Sequence, residues 1–158
     1  MTVLHVVLSL WPGGTEQLVV ELCKRTTDQF RPVVCCLDEP GSWGRDLARR
    51  GVEVVALQRR PGFRPSLGYQ IARLAEHHGA TVLHCHHYSP FVYGRVAKLL
   101  SPGLQVVSTE HGRYNDGPPL AKRKVVNPWL ARIPGPIYAV SASLREHMLA
   151  EGYPSHRV

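Results

Sequence analysis

Three short runs of residues have the types and spacing that could do chemistry. The first is Pro12, Gly13, Gly14, Thr15 and Glu16. Glycines let a backbone approach a ligand closely, and the N–H groups that open a helix attract phosphate. The run does not fit G-x-G-x-x-G, and no G-K-[ST] follows it, so a dinucleotide fingerprint and a P-loop are both disfavoured. A tight strand-to-helix turn with no ligand would use the same residues. The second run is His84, Cys85, His86, His87 and Tyr88. Strand alternation places His84 and His86 on one face and His87 on the other. His84, His86 and His111 could converge, but no acidic ligand is supplied. A hydrogen-bonded histidine cluster lining a polar cleft is therefore a better reading than a metal centre.

The third run is Ser108, Thr109, Glu110, His111, Gly112 and Arg113. His111 falls where a strand ends and a loop begins. Its ordinary titration range lies near neutrality, so it could exchange hydrogen bonds with a sugar hydroxyl or a leaving phosphate. Gly112 leaves space beside it, and Arg113 could pair with phosphate or carboxylate. A packing histidine is the alternative.

All three runs follow segments that read as strands. Apolar runs at 3–9, 32–37, 52–57, 81–85, 104–108 and 137–140 alternate with segments of helical spacing. Leu67, Ile71 and Leu74 make one apolar stripe; Val92, Val96, Leu99 and Leu100 make another. Ser143-x-x-Glu146 fits a capping box for the last helix. Near-continuous apolar strands separated by helices predict an α/β fold, a Rossmann-like doubly wound parallel sheet of about six strands covered on both faces. In such sheets ligands bind at the carboxyl ends of the strands, where the three runs fall. Residues 112–119 hold Gly, Asn, Asp and two prolines and read as a mobile loop. A helix within 120–133 would carry Lys122, Arg123, Lys124, Trp129 and Arg132, with Pro128 breaking or kinking it. Its apolar residues are expected to pack inward; contact with a membrane surface is the other reading.

A chain of 158 residues fits one domain, and 44% apolar residues suffice for a packed core. No 18-residue apolar run or leader is present, so the expectation is a soluble, cytoplasmic protein. The net charge of +7 favours anionic partners. No nucleic-acid module accompanies the scattered basic residues, so nucleic acid is not expected as a partner. Cys23, Cys35, Cys36 and Cys85 fit neither C-x-x-C nor a zinc-finger spacing. Cys35 and Cys36 point to opposite faces of a strand and read as reduced, packed thiols.

The order of these motifs carries a resemblance. Gly13-Gly14-Thr15-Glu16, Val82-Leu83-His84-Cys85-His86-His87, Val107-Ser108-Thr109-Glu110-His111-Gly112 and Tyr138-Ala139-Val140-Ser141 together resemble the amino-terminal domain of family 4 glycosyltransferases of GT-B architecture. The closest flavour is the bacterial polysaccharide-assembly type, some members of which carry a similar Glu-His-Gly-Arg stretch. The resemblance covers essentially the whole chain, and it rests on the order and spacing of short motifs.

The resemblance implies that residues 1–158 are an acceptor-side Rossmann-like domain, and that the donor-binding carboxy-terminal domain lies outside this chain. Gly13, Gly14 and Thr15 would meet the donor phosphates. His111 would be catalytic, beside the transferred sugar and the acceptor hydroxyl. His86, Glu110, Arg113 and the 112–119 loop would lie on the acceptor side. The substrates would be a nucleotide-sugar donor and a glycan, lipid-linked or small-molecule acceptor, with peripheral contact at an anionic membrane's inner face. Transfer would retain anomeric configuration, with no metal and no cofactor. The isolated domain would be inactive. A reading of a different class remains beside this one: a free-standing flavodoxin-like module that binds a phosphorylated ligand or a protein partner.

Overall fold

The computed structural model describes residues 1–112 and 120–158. Six parallel strands form one sheet in the order β3-β2-β1-β4-β5-β6. The strands are β1 (Thr2–Val7), β2 (Arg31–Cys36), β3 (Glu53–Ala56), β4 (Ala80–His86), β5 (Gln105–Glu110) and β6 (Ile137–Ala139). Between and after them run helices α1 (Gly14–Arg25), α2 (Gly41–Arg49), α3 (Pro65–His77), α4 (Tyr88–Leu100), α5 (Ala121–Leu130) and α6 (Ala142–Ala150). The strand order reverses between β1 and β4, which is the switch point where doubly wound sheets open a crevice.

Alternation along the strands sorts the core. Leu4, Val6, Val33, Cys35, Leu83, Cys85 and Val106 pack under α3 and α4. Val7, Val34 and Cys36 pack on the opposite face with Val19, Val20 and Cys23 of α1 and Leu47 of α2. The neighbouring cysteines thus face opposite layers, as strand alternation requires. All four thiols are unpaired and buried. Burial pushes those of Cys23, Cys36 and Cys85 up to about 12, and that of Cys35 higher still. None is a thiolate at neutral pH, so none is a nucleophile.

Three helices differ from the sequence reading. In α4 the buried residues are Phe91, Tyr93, Gly94, Arg95 and Ala97, while Leu99 and Leu100 are exposed. The helix lies between two apolar clusters. Gly94 lets it approach the sheet so closely that an added Cβ would meet Cys85 Sγ. The last helix is capped by Ser141, whose Oγ accepts from the Leu144 backbone N–H at 3.2 Å, not by Ser143.

The α5 helix keeps Pro128 inside its last turn. Proline removes the N–H that would bond to Lys124 O. Gly152 (φ +89°) packs against that carbonyl, and a Cβ there would come within 2.8 Å of it. The apolar residues of α5 do not pack inward as the sequence reading expected. Val125 and Trp129 are 69% and 66% exposed, and only Leu130 joins the third cluster, with Phe91, Ile137, Leu144, Met148 and Tyr153. The buried residue of α5 is polar: Asn127 accepts from Tyr88 Oη (2.9 Å) and donates to Glu151 O (2.9 Å).

Candidate functional site

The carboxyl ends of β1, β4 and β5 bring the three sequence runs together. Gly13 caps α1 in an extended conformation without a side-chain bond, and Gly14 opens the helix. A Cβ added at Gly14 would meet nothing within 4 Å, so the helix start faces open space. Glu16 also sits in this first turn, and its carboxylate lies where a Gly13 side chain would go. The helix start thus presents backbone N–H donors beside one carboxylate.

Thr15 is tied to the ends of both neighbouring strands. The carboxylate of Glu110 can only accept, so His87 Nδ1–H donates to Glu110 Oε1 (2.9 Å). In the neutral ring, His87 Nε2 then accepts from the Thr15 hydroxyl (2.8 Å). The Thr15 proton is thereby used, and its oxygen is left as an acceptor. His87 holds this place through a left-handed backbone (φ 73°) as the residue before α4. Such a conformation in a non-glycine residue is costly and occurs where surroundings impose it. Sequence reading assigned His87 no role beyond its face, and nothing in the sequence marks the unusual turn.

A second polar cluster lies beside the first. His5 on β1 is in register with His84 on β4, and His86 with Thr109 on β5. His84 and His86 do share one face. His86 is fully buried between two rings. Its Nε2 shares a hydrogen bond with His5 Nδ1 (3.2 Å), and its Nδ1 shares one with His111 Nε2 (3.0 Å). His84 Nε2 bonds Thr109 Oγ1 at 2.9 Å. His86 therefore has no exposed surface of its own, and both of its ring nitrogens are taken up by His5 and His111. His5 was missed: in Val3-Leu4-His5-Val6-Val7 it is one polar residue in an apolar strand, and only the pairing of β1 with β4 reveals it.

Burial holds these rings neutral. His5, His84 and His111 are each lowered to about 4, chiefly by loss of solvent. Repulsion from His84 adds to the shift at His5, and repulsion from His87 and His84 adds at His111. His86 is pushed well below the ordinary range by burial and then by its four histidine neighbours. The sequence placed His111 near neutrality; the fold removes its imidazolium form at pH 7 and leaves a neutral donor–acceptor ring.

Among the described residues, His5, His84 and His86 are the group whose ligand atoms lie close enough to share a metal, within 4.8 Å of one another. The set differs from the His84, His86 and His111 that the sequence offered. It contains no carboxylate, and the His84 and His86 rings lie against each other at a tilt of 36° with centroids 4.1 Å apart.

A cleft of about 620 Å³ runs past this constellation. Glu16, Asp38, His87, Glu110, Gly112 and Lys122 line it, with Arg59 and Arg123. Two of its cations are engaged. Arg59 makes a two-pronged pair with Asp38 (2.8 and 3.0 Å). Arg123 pairs with buried Glu151 (2.9 Å) and stacks over Tyr88. The basic cluster of the sequence is thus split: Arg123 holds α5 to the end of α6, while Lys122 lines the cleft. Arg113, assigned to the acceptor side, and the 112–119 loop beyond Gly112 lie outside the described residues.

A doubly wound parallel sheet with a polar cleft at its switch point defines a Rossmann-like α/β domain. Residues 12–158 match the family model for Glycosyltransferase Family 4, and the chain belongs to that family. No curated protein matches its sequence. Among solved structures, a glycosyltransferase from Rickettsia africae aligns over 99% of this chain and 41% of its own, at 17% identity and TM-score 0.77. The Anabaena protein HepE, solved in complex with UDP, aligns over 99% of this chain and 42% of its own, at 18% identity and TM-score 0.78. UDP-GlcNAc 2-epimerase from Neisseria meningitidis, bound to UDP-GlcNAc, aligns over 100% of this chain and 45% of its own, at 16% identity and TM-score 0.57. The chain spans about two fifths of the length of the first two structures. Among the described residues, no helix is long and apolar enough to cross a membrane.

Proposed function

We propose that this chain is the amino-terminal, acceptor-side half of a glycosyltransferase that moves a sugar from a nucleotide-sugar donor to a glycan, lipid-linked or small-molecule acceptor. The observation that carries the reading is that Glu16 of the first α1 turn, His87 and Glu110 of the Thr15–His87–Glu110 bridge, and Gly112 line one cleft, with the His111 ring packed against His87 beside it. UDP in the HepE structures supports a nucleotide-linked donor. The open helix start at Gly14 supplies N–H groups and a favourable dipole to a departing diphosphate. His111, neutral and next to Gly112, meets the acceptor hydroxyl or the transferred sugar. Glu110 and Arg113 belong to the acceptor side. Rate would come from positioning and from donors aimed at the leaving diphosphate, with anomeric configuration retained and no metal required. The donor-gripping domain lies outside this chain in this reading, and the 158-residue chain alone transfers no sugar at a useful rate.

Two measurements test this. The endogenous polypeptide should have a mass of about 40 kDa, the size of two ordinary domains; a mass near 17.6 kDa would favour a free-standing binding module. A screen of nucleotide sugars on that polypeptide should find one whose diphosphate is released in the presence of acceptor. The reading extends to a lipid-linked acceptor at an anionic membrane surface, met by exposed Val125, Val126 and Trp129 beside Lys122 and Lys124. Flotation with anionic liposomes should be salt-sensitive and should weaken with Trp129→Ala; absence of flotation removes the membrane.

A further inference from the structure

Four imidazoles occupy one face near the sheet centre, where parallel sheets ordinarily place branched apolar residues. Three of them form a continuous hydrogen-bonded row. His5 and His111 bond to opposite edges of His86, at 3.2 and 3.0 Å. A neutral imidazole has one N–H and one bare nitrogen. His86 spends both inside the row. If His86 Nε2–H donates to His5 Nδ1, then His86 Nδ1 must accept from His111 Nε2–H. If His5 Nδ1–H donates to His86 Nε2, then His86 Nδ1–H must donate to His111 Nε2. The three rings therefore share one tautomer, all Nε2–H or all Nδ1–H. In the first state His111 presents a bare Nδ1, and in the second it presents an N–H.

We propose that His5 is a positioning residue for His111: the buried row His5–His86–His111 couples the tautomer of His111 to that of His5, and so couples His5 to whether the His111 ring meets a ligand oxygen as acceptor or as donor. This rests on the reading of His111 as the group beside the reacting sugar. The surroundings favour a fixed row. His5 is 5% exposed and His86 is 0% exposed, so water has little access to the bond between them. His84 packs against His86 at a tilt, with its own Nε2 engaged by Thr109, which holds the middle ring in place. A buried polar row satisfied at every link rigidifies its members, whereas a broken one leaves an orphaned nitrogen.

The test is a long-range proton–nitrogen correlation spectrum of the ¹⁵N-labelled 158-residue chain at pH 7.5, with and without zinc. His5, His86 and His111 are expected to report one common tautomer. His5→Leu should change the His111 nitrogen shifts or split them between tautomers, although the two rings bond only through His86. His5→Gln, which can donate or accept at the same place, keeps His86 Nε2 bonded and should leave His86 and His111 with a common tautomer; it carries the test if the leucine variant fails to fold. Mixed tautomers in the wild-type row overturn the proposal, as do unchanged His111 shifts in both variants. Zinc shifts that saturate at one equivalent overturn it too, because the cluster would then be a metal site. In the longer native enzyme, His5→Leu should lower kcat about tenfold with KM values within about twofold, the pattern of a lost transition-state interaction. If His111→Ala leaves transfer intact while the tautomers remain coupled, the functional reading fails alone. If His111→Ala abolishes transfer while His5→Leu changes neither kcat nor tautomer, this inference fails alone.

Discussion

Lowering the pH from 7 to 5 should strip this domain of a large part of its stability, and the buried histidines set how much. In the unfolded chain a histidine titrates near 6.5. In the fold His5 titrates at about 4 and His86 well below its ordinary range. Between those values the unfolded chain binds protons that the folded chain does not. Stability is therefore complete above pH 6.5 and is lost as the pH falls toward the folded values. Linkage gives about 2 kcal/mol per such histidine between pH 7 and pH 5, hence about 4 kcal/mol for these two rings. Half-buried His84 and His111 add a smaller amount, screened by solvent. Total stabilities of such domains are about 5–15 kcal/mol, so the effect is readily measured. Glu21 and Asp46, held below the usual carboxylate range by Arg25 and Arg50, lose their contributions only at lower pH. Urea unfolding at pH 7, 6 and 5 reads the change. With a slope of about 2 kcal/mol per molar, the midpoint should fall by about 2 M. His5→Leu should recover up to about half of that loss, since one titrating ring is gone. A wild-type midpoint that moves by less than about 0.5 M would refute the claim that the cluster is held neutral by the fold.

Gly14→Val adds a side chain that meets no protein atom within 4 Å. Its Tm should stay within a few degrees of wild type while donor affinity of the full-length protein falls, as calorimetry would show; unchanged affinity would remove phosphate from the α1 start. Ser141→Ala removes the side-chain cap of α6 and should cost about 1 kcal/mol in urea unfolding. No measurable loss there would return the cap to another residue.

Much of the fold was legible because it follows from period and punctuation. Six apolar runs separated by helical spacing fixed the class, and each strand lies within about two residues of its expected ends, as such boundaries usually do. Where two registers satisfied the same pattern, sequence could not choose. Val92, Val96, Leu99 and Leu100 make a valid helical stripe, yet α4 turns Tyr93, Gly94 and Ala97 to the sheet because Gly94 permits the closest approach. Ser141 and Ser143 both precede α6; the one that caps it is set by where the backbone turns. In α5 the residue buried for its hydrogen bonds is Asn127, and the exposed ones are Val125 and Trp129, the reverse of a hydrophobicity reading.

The candidate site was legible in part. The turn at Gly13 and Gly14, the histidine run on β4 and His111 on β5 were readable because strand ends of an open α/β sheet are where ligands bind. His5 and His87 were not. His5 matters through a partner 81 positions away, and strand pairing is not written in local periodicity. His87 matters through a left-handed turn that no glycine announces. The neutral state of His111 was likewise hidden, since it comes from burial beside rings contributed by other strands.

The central claim is that His111 stands at the reacting sugar of a glycosyltransferase. The most direct measurement is donor-dependent sugar transfer by the full-length protein with His111 and with His111→Ala, at saturating donor and acceptor. The account predicts a fall in turnover of roughly 10²–10⁴-fold with the fold intact. A change of less than about threefold would contradict it and leave His111 as a packing residue.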